Sequence, residues 1–331
     1  MADLNRIGLV GLGRMGSYHL QKLLEHPQVE IAGVLDSNQV HCKNISDQFS
    51  IPCFSKPEDL FLESDAVVIA SPTPTHFPLG KLALEAGLHV LMEKPMCDSV
   101  ERAHDLVSLA AAQKLVLQTG FVERYRVWEA LAPFLNEKPV LIGTERCSDS
   151  PSREPGLDVV TDLMIHDIDL VLALMKEPPV HISAEGLSLK ITEIDVAHAR
   201  LQFASGTVAH LKANWTGLQR QRATHLFYED AAVSIDLLQN IRQVTKSHPN
   251  GKVEKKQTPL ELTDSLKAQL DAFVCSIRNQ AKATVSGLDG LRSLEICEAI
   301  KQKIREKQKQ DILLSPREKQ FLTKVWGGHV N

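Results

Sequence analysis

Between Arg6 and about Phe121, short apolar runs alternate with stretches whose apolar residues recur every three or four positions. Residues 7–10, 29–35, 66–70, 89–92 and 115–118 read as strands, and 15–25, 77–86 and 99–112 read as helices. Strand and helix in that order call for a doubly wound, mostly parallel sheet with helices on both faces.

After Val122 the rhythm changes. Ala197, Ala199, Leu201 and Phe203 alternate with polar residues, and so do Thr207, Ala209, Leu211, Ala213 and Trp215. Such alternation marks strands with one covered and one polar face, and Ala204-Ser205-Gly206 joins them as an antiparallel hairpin. Further strands are expected at 223–228 and 232–237, and helices at 264–278 and 289–305, where the charge run 301–309 reads as a solvated helix end. The chain therefore divides into an α/β domain over 1–122 and an α+β domain over 123–331, built on an open antiparallel sheet. The polar face of that sheet is either solvated or an interface between copies, as a homodimer or homotetramer.

Composition narrows the function classes. A chain of 331 residues with 43% hydrophobic content buries a sizeable core. Its 37 basic and 41 acidic residues are interspersed, so no basic face gathers nucleic acid. Cys42, Cys53, Cys97, Cys147, Cys275 and Cys297 lie far apart without zinc spacing, and are expected as reduced thiols in a cytoplasmic protein without a metal. The start of the chain has no basic leader before an apolar core, and no apolar run reaches the ~20 residues that span a bilayer, so no membrane partner is expected.

Gly11-Leu12-Gly13-Arg14-Met15-Gly16 lies between the first strand and the first helix, and Asp36 closes the second strand twenty residues after Gly16. This is the arrangement of a dinucleotide site. Gly11 permits the tight turn, Gly13 lets backbone approach a pyrophosphate, Gly16 lets helix and sheet pack closely, and the helix N-terminus offers N–H groups to phosphate. A carboxylate at Asp36 accepts hydrogen bonds from the ribose hydroxyls and repels a 2′-phosphate, favouring NAD over NADP, although Lys43 stands close by in sequence.

The chemistry-bearing residues follow strand ends. Glu93-Lys94-Pro95 ends the strand at 89–92, where Lys94 faces the ligand crevice and can steady negative charge on a substrate oxygen. Asp162 and His166 are four apart in a helical stretch with Asp169 at i+7, a spacing that lets the carboxylate orient the imidazole and favour its protonated form. Ser71-Pro72-Thr73 follows the strand at 66–70 as a rigid cofactor wall, Thr75 is placed to cap the next helix, and His76 is a candidate ligand.

At these residues the chain resembles the Gfo/Idh/MocA family. The resemblance rests on the glycine motif, Thr73-Pro74-Thr75-His76, Glu93-Lys94-Pro95, the Asp162/His166 pair and Asp289-Gly290-Leu291-Arg292. It implies a Rossmann domain followed by an antiparallel sheet used in oligomer contacts, and oxidation of a sugar or polyol with nicotinamide. The family's catalytic trio falls on Lys94, Asp162 and His166; cofactor contacts are expected from Gly11, Gly13, Arg14, Met15, Gly16, Asp36, Ser71, Pro72, Thr73, His76, Glu93 and Lys94. Residues 120–125 are similar to a segment of members that oxidise the 3-hydroxyl of nucleotide-linked N-acetylhexosamines. The chain departs from them in having Arg126-Val127 in place of Asn-Pro, and in lacking a double glycine before Asp162. A diphosphate needs cations, and Arg124, Arg126, Arg146, Arg153 and Lys212 are candidates; a free sugar or an inositol needs none. A cofactor-binding regulator without turnover is the third reading, against which the intact trio argues.

Overall fold

The computed structural model describes residues 5–135, 137–149, 156–189, 192–216, 220–261 and 263–312. The N-terminal half runs β1 (Asn5–Val10), α1 (Arg14–Glu25), β2 (Val29–Leu35), α2 (Gln39–Phe49), β3 (Cys53–Phe54), α3 (Pro57–Leu62), β4 (Ala66–Ile69), α4 (His76–Glu85), β5 (His89–Glu93), α5 (Val100–Gln113) and β6 (Leu117–Gly120). Its six strands are parallel in the order β3-β2-β1-β4-β5-β6. The chain leaves β1 toward β2 on one side and reaches β4 on the other, so the order reverses at β1. A crevice opens there beyond the strand C-termini. The turns after β1, β4 and β5, which carry Gly11, Ser71 and Lys94, all face it. Strands β4 and β5 read as continuous apolar runs because both sheet faces are covered. Helix α1 buries Gly16, His19, Leu20 and Leu23, a helical stripe against the sheet.

The second half runs α6 (Val122–Leu131), β7 (Leu141–Cys147), α7 (Ile165–Met175), β8 (Pro179–Leu187), β9 (Val196–Phe203), β10 (Val208–Asn214), β11 (Gln221–Phe227), β12 (Ala231–Asp236), β13 (Ile241–Ser247), β14 (Val253–Pro259), α8 (Ser265–Arg278) and α9 (Gly287–Ile312). The sheet order is β14-β13-β12-β11-β7-β10-β9-β8. The expected β9/β10 hairpin is present, and its alternation faces the core as read: Ala197, Leu201, Ala209, Leu211 and Ala213 have no exposed surface. The sheet is not wholly antiparallel, because β7 lies parallel to β10. Strand β7 arrives from α6 rather than through a hairpin, and inserts between β11 and β10 at the centre of the sheet.

Helices α8 and α9 return across the boundary. Leu270, Phe273 and Val274 of α8 sit in the core under Ile7 and Leu9, so α8 covers one face of the N-terminal sheet. Leu291 and Leu294 belong to the N-terminal core, while Cys297, Ile300 and Ile304, further along the same α9 stripe, belong to the C-terminal core. Strand β6 is tied to this segment through Gln118 Nε2 to Gln269 O (2.9 Å) and Thr119 N to Val285 O (3.0 Å). Leu270, Phe273 and Val274 of α8 and Leu291 and Leu294 of α9 therefore pack with the residues before 122, although they lie far beyond them in the chain.

The expectation of six free thiols is corrected at two positions. Cys42 on α2 and Cys53 on β3 form a disulfide, with Cα atoms 5.9 Å apart. They meet because α2 folds back along β2 and the chain then adds β3 beside Val34 and Leu35, a juxtaposition that linear spacing does not reveal.

Candidate active site

At the crevice, Gly11 has a φ of +90° and lies under Gly16, whose absent Cβ would stand 1.8 Å from Gly11 O. Only glycine allows this approach of α1 to the turn. Gly13 is exposed, and a Cβ built there meets nothing within 4 Å. Helix α1 has no side-chain cap and no acidic residue in its first turn, where Arg14 and Met15 stand. Its first N–H groups and the positive end of its dipole therefore suit an anion.

Asp36 accepts from Leu12 N at 2.6 Å and Asn38 N at 2.7 Å, one bond to each carboxylate oxygen. Each oxygen retains acceptor capacity for a ribose hydroxyl. The bare backbone at Gly13, the uncapped helix and the fixed carboxylate fit an adenine dinucleotide.

The remaining expected cofactor residues divide between the crevice wall and its supports. Ser71 Oγ pairs with Thr75 Oγ1 at 2.6 Å, Pro72 is exposed and Thr73 is buried. Thr75 precedes α4 but does not cap it, since its hydroxyl donates to Pro72 O instead. The buried ring of His76 lies between Ser71 O (2.8 Å) and Pro95 O (2.9 Å), bracing one loop against the other. Glu93 is likewise a support. Its carboxylate meets His19 Nε2 at 2.7 Å and accepts from Lys94 N at 3.3 Å, in space left by Gly120.

Lys94 Nζ donates to Asp162 O at 2.9 Å and to Asp162 Oδ1 at 2.8 Å. The structure thus joins Lys94 to Asp162 and corrects the expected hold of Asp162 on His166. His166 Nδ1 is buried with no hydrogen-bond partner. The local backbone is part of the reason: Val160–Met164 forms a π-helical turn in which Ile165 N reaches back to Val160 O, so the α-helical i, i+4 register does not apply. The Lys94 cation supplies the rest, being the stronger partner for the carboxylate. The imidazole is not favoured in its protonated form either. Burial first, and then the charges of Lys94, Arg146 and Arg222, hold it well below its ordinary 6.5. A neutral His166 therefore stands beside a lysine whose third N–H is uncommitted, with the Phe121 ring edge-on at 6.1 Å.

Further charged residues stand near these three, and Arg222 among them was not read as a candidate from the sequence. Arg146 of β7 pairs with Asp167 at 2.8 Å, and Arg222 of β11 donates to Glu123 Oε1 at 3.0 Å. Burial would raise the Glu123 carboxyl, but Arg146, Arg222 and Arg126 together hold it below the usual range. Asp169 does not share the trio's work, because Arg124 binds both of its oxygens.

Known proteins share this architecture. Residues 5–121 match the model described as oxidoreductase family, NAD-binding Rossmann fold, and residues 144–234 match the GFO/IDH/MocA C-terminal domain. A UDP-N-acetylglucosamine 3-dehydrogenase of Acidithiobacillus ferrooxidans is 31% identical over 296 residues, covering 87% of this chain and 94% of its own. The chain belongs to the Gfo/Idh/MocA family. A solved structure of a UDP-N-acetylglucosamine 3-dehydrogenase from that organism superposes with a TM-score of 0.85 at 29% identity, over 91% of this chain and 97% of the other. A myo-inositol 2-dehydrogenase of Thermotoga maritima is 23% identical over 330 residues, covering 92% of this chain and 97% of its own. As a Gfo/Idh/MocA protein, the chain is an oxidoreductase with an NAD-binding Rossmann domain and sugar dehydrogenases among its relatives. Among the described residues no helix is long and apolar enough to cross a membrane.

Proposed function

We propose that this enzyme oxidises a secondary hydroxyl of a sugar, C3 of UDP-N-acetylglucosamine being the favoured substrate position, with NAD as hydride acceptor. The observation that carries the reaction type is a Lys94 with two of its three N–H groups fixed by Asp162, together with a part-buried, neutral His166 four residues after Asp162 in the chain. Support for the nucleotide sugar comes from the relative that is 31% identical over most of the chain.

Asp162 engages two of the Lys94 N–H groups and aims the third at the substrate hydroxyl oxygen. That donor steadies the charge developing on oxygen as the C–H bond breaks. His166 takes the hydroxyl proton at Nε2, since Nδ1 is enclosed by protein. The alcohol loses a proton and a hydride and becomes a ketone; bound nicotinamide supplies the hydride acceptor. Glu93 and His76 hold the two loops that carry this chemistry. We further propose a homodimer or homotetramer formed through the outer face of the C-terminal sheet.

NADH formation with UDP-N-acetylglucosamine, NAD and a ketone trap tests the reading, with free N-acetylglucosamine and inositol alongside. Signal from the nucleotide sugar alone, lost in Lys94→Ala, is the expected result. Silence there with signal from inositol would transfer the protein to the polyol dehydrogenases among its relatives.

A further inference from the structure

The cations expected to meet a diphosphate are largely engaged within the protein. Arg124 is held by Asp169, Arg146 by Asp167, and Lys212 by Glu145. Arg126 donates to Leu237 O and to Asn240 Oδ1, and Arg153 lies outside the described residues.

Arg222 was not among those candidates. It lies directly opposite Arg146 on neighbouring antiparallel strands, so both guanidinium groups project to one face of the sheet, where Glu123 of α6 and Asp167 of α7 meet them. Like charges placed opposite one another are unfavourable in a sheet. Glu123 from α6 reaches both, at 3.0 Å to Arg222 and 3.8 Å to Arg146. Arg126, Arg146 and Arg222 stand here against Glu123 and Asp167, while Asp264, which lines the same pocket as Glu123 and Arg126, is paired with Lys22. Three cations against two anions leave one positive charge unmatched. The adjoining Lys94–Asp162 pair is neutral as a unit and does not cancel it. Arg146 is buried, whereas the Arg222 side chain is 41% exposed with a single N–H given to Glu123. The charge excess therefore presents itself to solvent at Arg222. Burial and the two neighbouring arginines also penalise its charged form, a cost that a bound anion would relieve.

We propose that Arg222 is the anion anchor of the substrate cleft, binding the diphosphate of a nucleotide-linked sugar. Ion pairs link it through Glu123 and Arg146 to Asp167, the residue next to His166 in the chain, which sets the anchor on the His166 side of the sheet. A free polyol has no group for this anchor, so Arg222 distinguishes charged from uncharged substrates. The identity of the anion as a nucleoside diphosphate rests on the function proposed above; the unmatched charge does not.

The test is calorimetric titration of the NADH-loaded enzyme with UDP, with uridine and with inorganic diphosphate, none of which requires turnover. Arg222→Gln is expected to weaken UDP and diphosphate by about ten- to a hundredfold and to leave uridine unchanged. Arg222→Lys should restore part of the loss, and Glu123→Gln, which removes the competing carboxylate, should tighten both anions. In turnover, Arg222→Gln raises KM for the nucleotide sugar more than it lowers kcat. Equal UDP affinity in Arg222→Gln and wild type would overturn the inference, even if UDP-N-acetylglucosamine is oxidised. Arg222-dependent UDP binding with no turnover of that sugar would sustain the inference and remove the proposed substrate.

Discussion

A lysine with two of its three donors fixed by one aspartate is a directed group, and a part-buried imidazole among cations is a neutral one. Together they fix the pH behaviour. Because the His166 pKa is lowered, the base is available throughout the neutral range, and the acid limb of kcat/KM should fall below pH 6.5. The same shift has a stability consequence with a definite sign. A histidine that resists protonation in the fold contributes fully above its unfolded pKa, and the contribution is lost as pH falls through the lower folded value. His166→Asn should remove the acid limb and reduce kcat/KM by about 10²- to 10⁴-fold; a pH–rate profile with its acid limb at or above 6.5 in the wild type would contradict the assignment. Lys94, Asp162 and His166 could each be singled out in the sequence because strand-end and helix positions can be read locally. The Lys94–Asp162 bond was not, since it joins residues 68 positions apart through an irregular turn. Arg222 was hidden for a related reason: its meaning depends on Arg146 across a strand pairing that no local pattern specifies.

At the scale of elements, the glycine turn separates packing from binding. A Cβ at Gly16 would overlap Gly11 O, a backbone atom that cannot rotate away, whereas a Cβ at Gly13 enters open space. Gly16→Ala should destabilise the fold by about 1–3 kcal/mol or more, read as a lower melting temperature. Gly13→Ala should melt like wild type and yet bind NADH more weakly, because the added methyl stands where the pyrophosphate must approach; equal NADH affinity would count against the site. Three of the elements that escaped the sequence reading, α2, β3 and β14, share a physical cause. Helix α2 buries only Cys42 among its described residues, so it carries no apolar stripe. Strand β14 is almost wholly exposed, and β3 is two residues long. Strands β9 and β10, each with one covered face, announced themselves.

At the scale of the whole molecule, the outer face of the C-terminal sheet carries an apolar row across four strands: Val208, Leu141, Phe227 and Ala232 stand side by side, with Phe227 42% exposed. Pairing of copies through this face would cover the row. Phe227→Asp should lower the mass measured by light scattering and leave the melting temperature of the protomer nearly unchanged; an unchanged mass would place the interface elsewhere.

Helix α9 begins in one hydrophobic core and continues into the other, and α8 roofs the first sheet from the far end of the chain. The cofactor-binding half is therefore not a portable cassette. Anyone recombining it with a relative's substrate half at the apparent seam near residue 122 would strip Phe273 and its neighbours from the sheet they cover. A viable chimaera must transplant two separate stretches of chain, the N-terminal half together with α8 and the part of α9 that carries Leu291 and Leu294. The same arrangement couples inheritance: a change in the first sheet's core can be compensated by a change some 260 residues away, as between Leu9 and Phe273.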